Sequence, residues 1–394
     1  MPWQPTDTMS LRNELVALAT QPSANISHLC DRFGVSRKTA HKWIKRHREG
    51  GPGALEDRSR RPATIPGKTG AGTESLIEAV RLEHPAWGPR KIRAVLKRNG
   101  ADHVPARSAI GDILSRNGLV TNKPGGNDKA LRRFEHPEPN DLWQMDFKGH
   151  FPLGTNGSER CHPLTVLDDH SRFNITLRAL GNERKEAVRD QLAPCFRRYG
   201  LPARILCDNG SPWGCPQGRQ YWTDLEVWMM LAGVEMIHGR PMHPRTRGKE
   251  ERFHRTLDVE VIRGTTVWRD LEHAQREFDK WRERYNLERP HEALGMEVPA
   301  SRYRISARTW DGQLADPESF YLPGDVIRRV THKGDVNYHS LYWKVGEAFA
   351  GRKVALRAFG EKELDVYFCS TRVGRGRLEA PEGRPDGKYR TLTF

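Results

Sequence analysis

Apolar residues recur at helical spacing up to about Leu119 and then give way to alternation, so the chain changes texture near its first third. Leu11, Leu15 and Leu18 stripe one short helix, and Ile26, Leu29, Cys30 and Phe33 a second. The turn Gly34-Val35-Ser36 follows, with Ser36 placed to cap a third helix that runs to about His47. Ala40, Trp43 and Ile44 of that helix face inward. Lys38, His41, Lys42 and Lys45 fall at i, i+3, i+4 and i+7 on the outer side, beside Arg37. The layout predicts a helix-turn-helix, whose second helix enters a DNA major groove; a basic helix that merely faces water is the alternative. From Thr73 to Leu119 the pattern returns, with Leu76, Ile77 and Val80, then Ile92, Val95 and Leu96 behind Pro89, then Ile110, Ile113 and Leu114. The last helix of this second unit presents only Arg107, Ser108 and Arg116, a weaker grip on bases.

Gly50-Gly51-Pro52-Gly53 and Arg58-Ser59-Arg60-Arg61-Pro62 bar regular structure between the two units. Arg58, Arg60 and Arg61 suit a minor groove or a phosphate track, with a plain linker as the alternative. Lys123–Glu138, rich in Gly, Pro and charge, reads as a second linker.

From Leu142 to Lys148 apolar and polar residues alternate, Trp143, Met145 and Phe147 against Gln144, Asp146 and Lys148, which predicts a strand. Cys161–Asp168 and Phe173–Ala179 predict two more, joined by the turn Asp169-His170-Ser171-Arg172. An amphipathic helix over Glu183–Tyr199 carries Pro194 inside it, where proline usually bends the helix. A short buried strand, Ala203–Cys207, ends at Asp208-Asn209-Gly210. A helix over Tyr221–Ala232, a strand over Val234–His238, a helix over Gly248–Ile262 and another from Leu271 follow. This order fits a mixed sheet flanked by helices. After Arg289-Pro290-His291 and Val298-Pro299-Ala300-Ser301, apolar runs at Val326–Val330, Ser340–Trp343, Val354–Ala358 and Glu363–Phe368 predict a small antiparallel barrel. Arg372–Phe394 reads as loose.

Composition narrows the partner. Lys and Arg number 65 against 50 Asp and Glu, a net charge of +15, which points to a polyanion. Nucleic acid is preferred over membrane, because no apolar run reaches the roughly 20 residues of a spanning helix. The start of the chain has no basic-then-apolar signal pattern, so the expected location is the cytosol. The six cysteines include no C-x-x-C pair and read as buried free thiols, a zinc site at Cys207 and Cys215 being the alternative.

Three carboxylates stand out against this framework. In Gly248–Leu257 the helical wheel places Phe253, Leu257 and Val261 on one stripe, Glu250 close to it, and Glu251 about 200° from Phe253 on the polar face with Arg255. Asp146 occupies a strand, where Asp is unusual. Asp208 ends another, although Asp-Asn-Gly is also an ordinary turn. Asp168 and Asp169 read as turn residues. A strand Asp, a strand-end Asp and a helical Glu can converge at the rim of a mixed sheet, and their hard oxygens suit Mg²⁺ or Mn²⁺. Lys148, Lys249, Arg252 and Arg255 would offset the acids and hold backbone phosphates.

Trp143-Gln144-Met145-Asp146-Phe147-Lys148-Gly149, Asp168-Asp169-His170-Ser171-Arg172, Cys207-Asp208-Asn209-Gly210-Ser211 and Gly248-Lys249-Glu250-Glu251-Arg252-Phe253-His254-Arg255 together resemble the integrase core of bacterial insertion-sequence DDE transposases, relatives of retroviral integrases. The resemblance covers roughly residues 11–305. It implies an RNase H-like catalytic core in which Asp146, Asp208 and Glu251 are catalytic and ligate two Mg²⁺ (or Mn²⁺) ions. It also implies cleavage at the ends of an element and joining of the freed 3′-hydroxyls to target DNA. In the family the Glu sits two residues before an aromatic or apolar core position, which selects Glu251 over Glu250. The interval from Asp208 to Glu251 is longer than in retroviral integrases, with Trp213–Arg219 as the candidate for the extra length, and their His and Cys zinc module is absent.

The expected organisation is a multidomain α/β chain. Residues 1–62 form a first helix-turn-helix domain with a basic arm, 63–120 a second, 121–140 a linker, 141–305 the catalytic core and 306–394 a small β-barrel with a tail. The expected partners are double-stranded DNA and further copies of the chain, at least a dimer, acting at the bacterial nucleoid. A nuclease without strand transfer and a DNA-binding regulator with an inactive core are the alternatives.

Overall fold

Thr8–Ala19 (α1), Ile26–Phe33 (α2) and Arg37–Gly50 (α3) are helices where the apolar stripes predict them. The Asn25 side chain accepts the N–H groups of Ser27 and His28 to start α2, and Gly34 ends it in the left-handed region at φ 63°. The Ser36 hydroxyl accepts the Thr39 N–H at 3.2 Å and so caps α3 as expected. The buried face of α1 is rotated from the predicted one: Leu15 and Val16 are enclosed, while Leu11 is exposed. The cause is Leu55, which returns after α3 to pack with Val16, Trp43 and Ile44 and whose carbonyl accepts from Arg12.

The computed structural model describes residues 7–58, 69–120, 135–214, 222–239, 248–360, 362–378 and 389–393. The expected arginines Arg60 and Arg61, most of the 121–140 linker, Cys215 and most of Trp213–Arg219 lie outside them. The chain divides into two compact units, Met1–Lys68 and Thr69–Phe394.

The second unit opens with Ala71–Glu83 (α4), Pro89–Arg98 (α5) and Arg107–Arg116 (α6), closed around Ile77, Ile92, Val95, Ile110 and Leu114. Leu76, expected inward, is exposed; Trp87 from the α4–α5 turn fills the core instead and stacks on His84 at 3.7 Å. Arg98 donates to the Glu288 carbonyl at 2.7 Å, which ties this bundle to the region that follows.

Six strands form the central sheet: Leu142–Phe147 (β1), Phe151–Leu153 (β2), Glu159–Asp168 (β3), Asn174–Leu180 (β4), Arg204–Cys207 (β5) and Glu235–His238 (β6). The order is β2-β3-β1-β5-β6, with β4 also on β3. β3 is antiparallel to β1, β2 and β4, whereas β1, β5 and β6 run parallel, so the sheet is mixed as expected. Lys185–Tyr199 (α7) and Asp224–Ala232 (α8) cover one face through Val188, Leu192, Phe196, Leu225 and Met229. Gly248–Leu257 (α9) and Leu271–Leu287 (α10) cover the other, where Phe253, Leu257, Phe278 and Trp281 meet Leu167 and Leu177. A π turn over Asp258–Ile262 continues α9 and brings Val261 onto the same stripe.

The C-terminal region is two small sheets, and the strand order among the described residues does not close into the expected barrel. Val326–Arg329 (β7), Lys353–Phe359 (β10), Glu363–Phe368 (β11) and Thr371–Arg377 (β12) form one, in the order β12-β11-β10-β7. Asp335–Tyr338 (β8), Leu341–Lys344 (β9) and Tyr389–Thr391 (β13) form the other. Gly376 of β12 lets the Trp343 ring of β9 lie directly on the first sheet, since a Cβ there would run into that ring. The sheets therefore stack at this point, a bridge between Arg375 and Thr393 links them at the β12 edge, and Arg372–Arg377, expected loose, lies in a paired strand. Their shared core takes in Val227, Met230 and Leu231, so α8 is enclosed on both sides.

Candidate active site

Asp146 lies in β1 and Asp208 directly follows β5. These strands pair in parallel with Leu142 opposite Arg204, Trp143 opposite Ile205 and Gln144 opposite Leu206. Because the strands run parallel, Asp146 and Asp208 both stand toward their C-terminal ends, on neighbouring strands. Alternation places both on one face, because Trp143, Met145, Ile205 and Cys207 fill the core on the other. Both carboxylates are half-buried. Asp146 Oδ1 accepts the Phe147 N–H and Asp208 Oδ1 the Gly210 N–H, each at 2.9 Å.

α9 runs over this face. Thr165, opposite Asp146 in β3, has its hydroxyl 3.0 Å from the Asp146 carbonyl, 3.1 Å from Glu250 Oε2 and 2.9 Å from His254 Nε2. Burial and the Lys148 charge push His254 down to about 3, so its 3.5 Å approach to Glu250 is a contact of a neutral ring. Glu250 is buried and Glu251 exposed, as the wheel predicts. Among the described residues no three His, Cys, Asp or Glu side chains stand close enough together to hold a metal ion. By placement and donor chemistry the two strand aspartates fit a hard divalent cation; Glu251 does not join them in this structure.

The expected phosphate-holding cations divide. Arg252 and Arg255 are exposed on α9. Lys249 turns inward and its ammonium is paired with Asp169. Burial and the Arg172 charge push that ammonium down to about 8, with Asp169 holding it up. Lys148 pairs with Asp258 at 3.4 Å. In the N-terminal unit Arg37, Lys38, His41, Lys42 and Lys45 are all exposed on α3, and Arg58 is exposed beyond it. Arg107 is exposed at the start of α6.

Two networks around the aspartates escaped sequence reasoning. Asp168 and Asp169 are turn residues only in position, for both are fully enclosed. Asp168 accepts from Asn140 N–H at 2.7 Å and Ser171 N–H at 2.8 Å; Asp169 accepts from Gln144 at 2.6 Å and His136 N–H at 2.8 Å. Beside Asp208, His238 meets the Asp208 carbonyl with Nδ1 at 2.8 Å and Glu226 with Nε2 at 2.9 Å. Contacts with the Cys207 sulfur and the Glu226 carboxylate push this imidazole up to about 10. Glu226 also closes a capping box with Thr223 at the start of α8. The available signal was Thr223-Asp224-Leu225-Glu226, the Thr-x-x-Glu pattern of a helix start.

Known families match along most of this length. An integrase core domain family matches residues 136–244, and a second integrase core family matches 232–299. A helix-turn-helix domain family matches 12–63 and a homeodomain-like family 39–114. The insertion element IS476 uncharacterized 39.2 kDa protein of Xanthomonas euvesicatoria is 29% identical over 249 residues, 62% of this chain and 64% of the relative. The match thus spans a little under two thirds of that protein. The insertion element IS407 uncharacterized 31.7 kDa protein of Burkholderia multivorans is 24% identical over 248 residues, 59% of this chain and 84% of the relative.

Residues 136–299 match integrase cores, and the chain is similar to proteins of bacterial insertion elements.

Among solved structures, the chain is similar to the HTLV-2 integrase catalytic core domain in complex with magnesium, at 12% identity and a TM-score of 0.32, over 43% of this chain and 99% of that one. It is also similar to a chain of the simian T-cell lymphotropic virus intasome, at 12% identity and a TM-score of 0.37, over 78% and 100%.

Proposed function

We propose that this protein is a DDE transposase that binds the terminal inverted repeats of its insertion sequence, cleaves the ends and joins the 3′-hydroxyls to target DNA. The observation that carries the proposal is the parallel pairing of β1 with β5, which brings Asp146 and Asp208 to the same end of neighbouring strands. The strand order, with antiparallel β4-β3-β1 followed by parallel β5 and β6, supports an RNase H-like reading of the core. Asp146, Asp208 and Glu251 would hold two Mg²⁺ or Mn²⁺ ions, which supply activation of an attacking oxygen and stabilisation of a leaving one when bound. The exposed cations of α3 would grip the repeat and Arg252 and Arg255 the phosphates near the cut. Two ends must meet in one complex, so the active form is at least a dimer, working at the nucleoid.

The exposure of Glu251 favours a second reading, a repeat-binding regulator whose core does no chemistry. One experiment separates them. Asp146→Asn, Asp208→Asn and Glu251→Gln are assayed for Mg²⁺-dependent end cleavage and for joining of a pre-cut end to a plasmid. The transposase reading expects all three to lose both reactions while end binding persists; undiminished cleavage in all three refutes it. Glu250→Gln, in the same assay, decides between the neighbouring glutamates.

A further inference from the structure

A cleft of about 400 Å³ opens where the second helical bundle meets the turn after α10, lined by Pro89, Arg90, Lys91, Arg107, Ser108 and Glu292 among others. Three of these side chains are cations and one is a carboxylate. Glu292 Oε2 lies 3.5 Å from Arg90 Nη1 with both groups about half exposed. Lys91 is less exposed than Arg90, and among the described residues no carboxylate lies within ion-pair distance of it. Its burial and the neighbouring Arg289 charge push its pKa down, against the Glu260 and Glu292 carboxylates, which hold it up. His291, which precedes Glu292, is buried, and burial with the surrounding cations pushes it down to about 3, so it adds no charge of either sign. The first turns of α5 and α6 both border the cleft, and neither helix has a side-chain cap.

We propose that this cleft seats a backbone phosphate of duplex DNA between Arg90, Lys91 and Arg107. A phosphodiester carries one negative charge on two oxygens, enough to satisfy the lysine and one arginine fork together. Arg90 and Arg107 stand at the open side, where a long polyanion can reach them and still continue past the protein. Glu292 holds Arg90 while the cleft is empty and competes with the incoming phosphate, so it sets the affinity. A backbone seat also accounts for the few base-reading side chains on α6: this bundle fixes the position of the duplex and leaves sequence reading to other parts of the chain. The inference rests on the DNA-handling reading above and assigns it a contact outside both α3 and the face bearing Asp146 and Asp208.

The test uses the full chain and a duplex taken from the DNA flanking its gene, beside an unrelated duplex, with affinity measured against salt. In Arg90→Gln/Lys91→Gln the slope of log K against log salt should be shallower by about 0.9, for the one phosphate no longer held. Binding should weaken by a similar factor on both duplexes. Glu292→Gln should tighten both, and Arg90→Lys/Lys91→Arg should keep the parent slope. A parent slope in the double Gln variant overturns the inference and leaves the transposase reading standing; a parent chain that binds neither duplex overturns both. If inorganic phosphate at fixed ionic strength stabilises the parent but not the double variant while the DNA slope is unchanged, the cleft takes free anions only and the inference fails. Should the double Gln variant not fold, an unchanged affinity in Glu292→Gln overturns it equally.

Discussion

Asp169→Ala should be among the most damaging single substitutions outside the apolar cores. The side chain is 1% exposed and is shared by three donors from three places: the Gln144 amide in β1, the His136 N–H before it, and the Lys249 ammonium in the first turn of α9. Alanine takes from Lys249 the carboxylate that it touches and leaves the Gln144 amide facing a methyl group. Removing one partner of a buried ion pair costs about 3–5 kcal/mol. The stranded amide adds about 1–3 kcal/mol, less whatever water recovers. A loss of at least about 3 kcal/mol is therefore expected. At a urea slope of about 3 kcal/mol/M for a large unit, that moves the midpoint down by about 1 M. Asp169→Asn keeps an acceptor for Gln144 and should lose less. Lys249→Met combined with Asp169→Ala should cost less than the sum of the two single changes, with a coupling of about 2 kcal/mol. Tryptophan fluorescence reports the midpoint, because Trp143 and Trp281 are buried in the cores flanking the sheet. Amide exchange over residues 248–257 should rise in Asp169→Ala ahead of global unfolding, since the bond that pins α9 to β1 is gone. A midpoint within about 0.3 M of the parent, with unchanged exchange in α9, would refute the reasoning.

His291 is buried and held down to about 3, below the ordinary imidazole value of about 6.5, so the unfolded chain binds the extra proton between those two values. Its contribution is complete above pH 6.5 and is lost as pH falls toward 3; by pH 5 it should cost about 2 kcal/mol. Denaturation midpoints at pH 7 and pH 5 should therefore converge in His291→Gln relative to the parent. Gly376→Ala should destabilise the C-terminal sheets by about 1–3 kcal/mol, because its Cβ meets the Trp343 ring, and thermal unfolding measures it. Lys42→Gln/Lys45→Gln on α3 should weaken DNA binding and flatten its salt dependence, and a salt slope equal to the parent's would take this helix off the phosphates.

Where one residue pattern dictates one structure, the sequence was readable. Ser36 before a striped helix could only be a cap, and Phe253, Leu257 and Val261 at i, i+4, i+8 located the buried side of α9 and hence the outward side of Glu251. The strands β1, β3, β4 and β5 were equally plain, because their apolar runs end in charged turns. The failures share a different cause. Gly374 and Gly376 empty one face of β12, so its alternation cannot be read, yet the second sheet needs that empty face. Leu11 and Leu76 fit their helical stripes but lost their places to Leu55 and Trp87, which arrive from turns and carry no periodic signal. Asp168 and Asp169 look like turn residues in one dimension, and only the pairing of β1 with β3 shows that the turn is closed over by the chain around Asn140. The neighbourhood of Asp146 and Asp208 followed from the strand ends; the Lys249, His238 and Glu226 contacts are long-range and left no local trace except one capping pattern.

Because α8 turns Leu225 and Met229 toward the central sheet and Val227, Met230 and Leu231 toward the C-terminal sheets, it has no side made for water. Cutting the chain before β7 would uncover a greasy strip on the very helix that buttresses β5 and β6. Such a truncate should aggregate, and any activity it lacks would report that exposed strip before it reported a missing DNA contact.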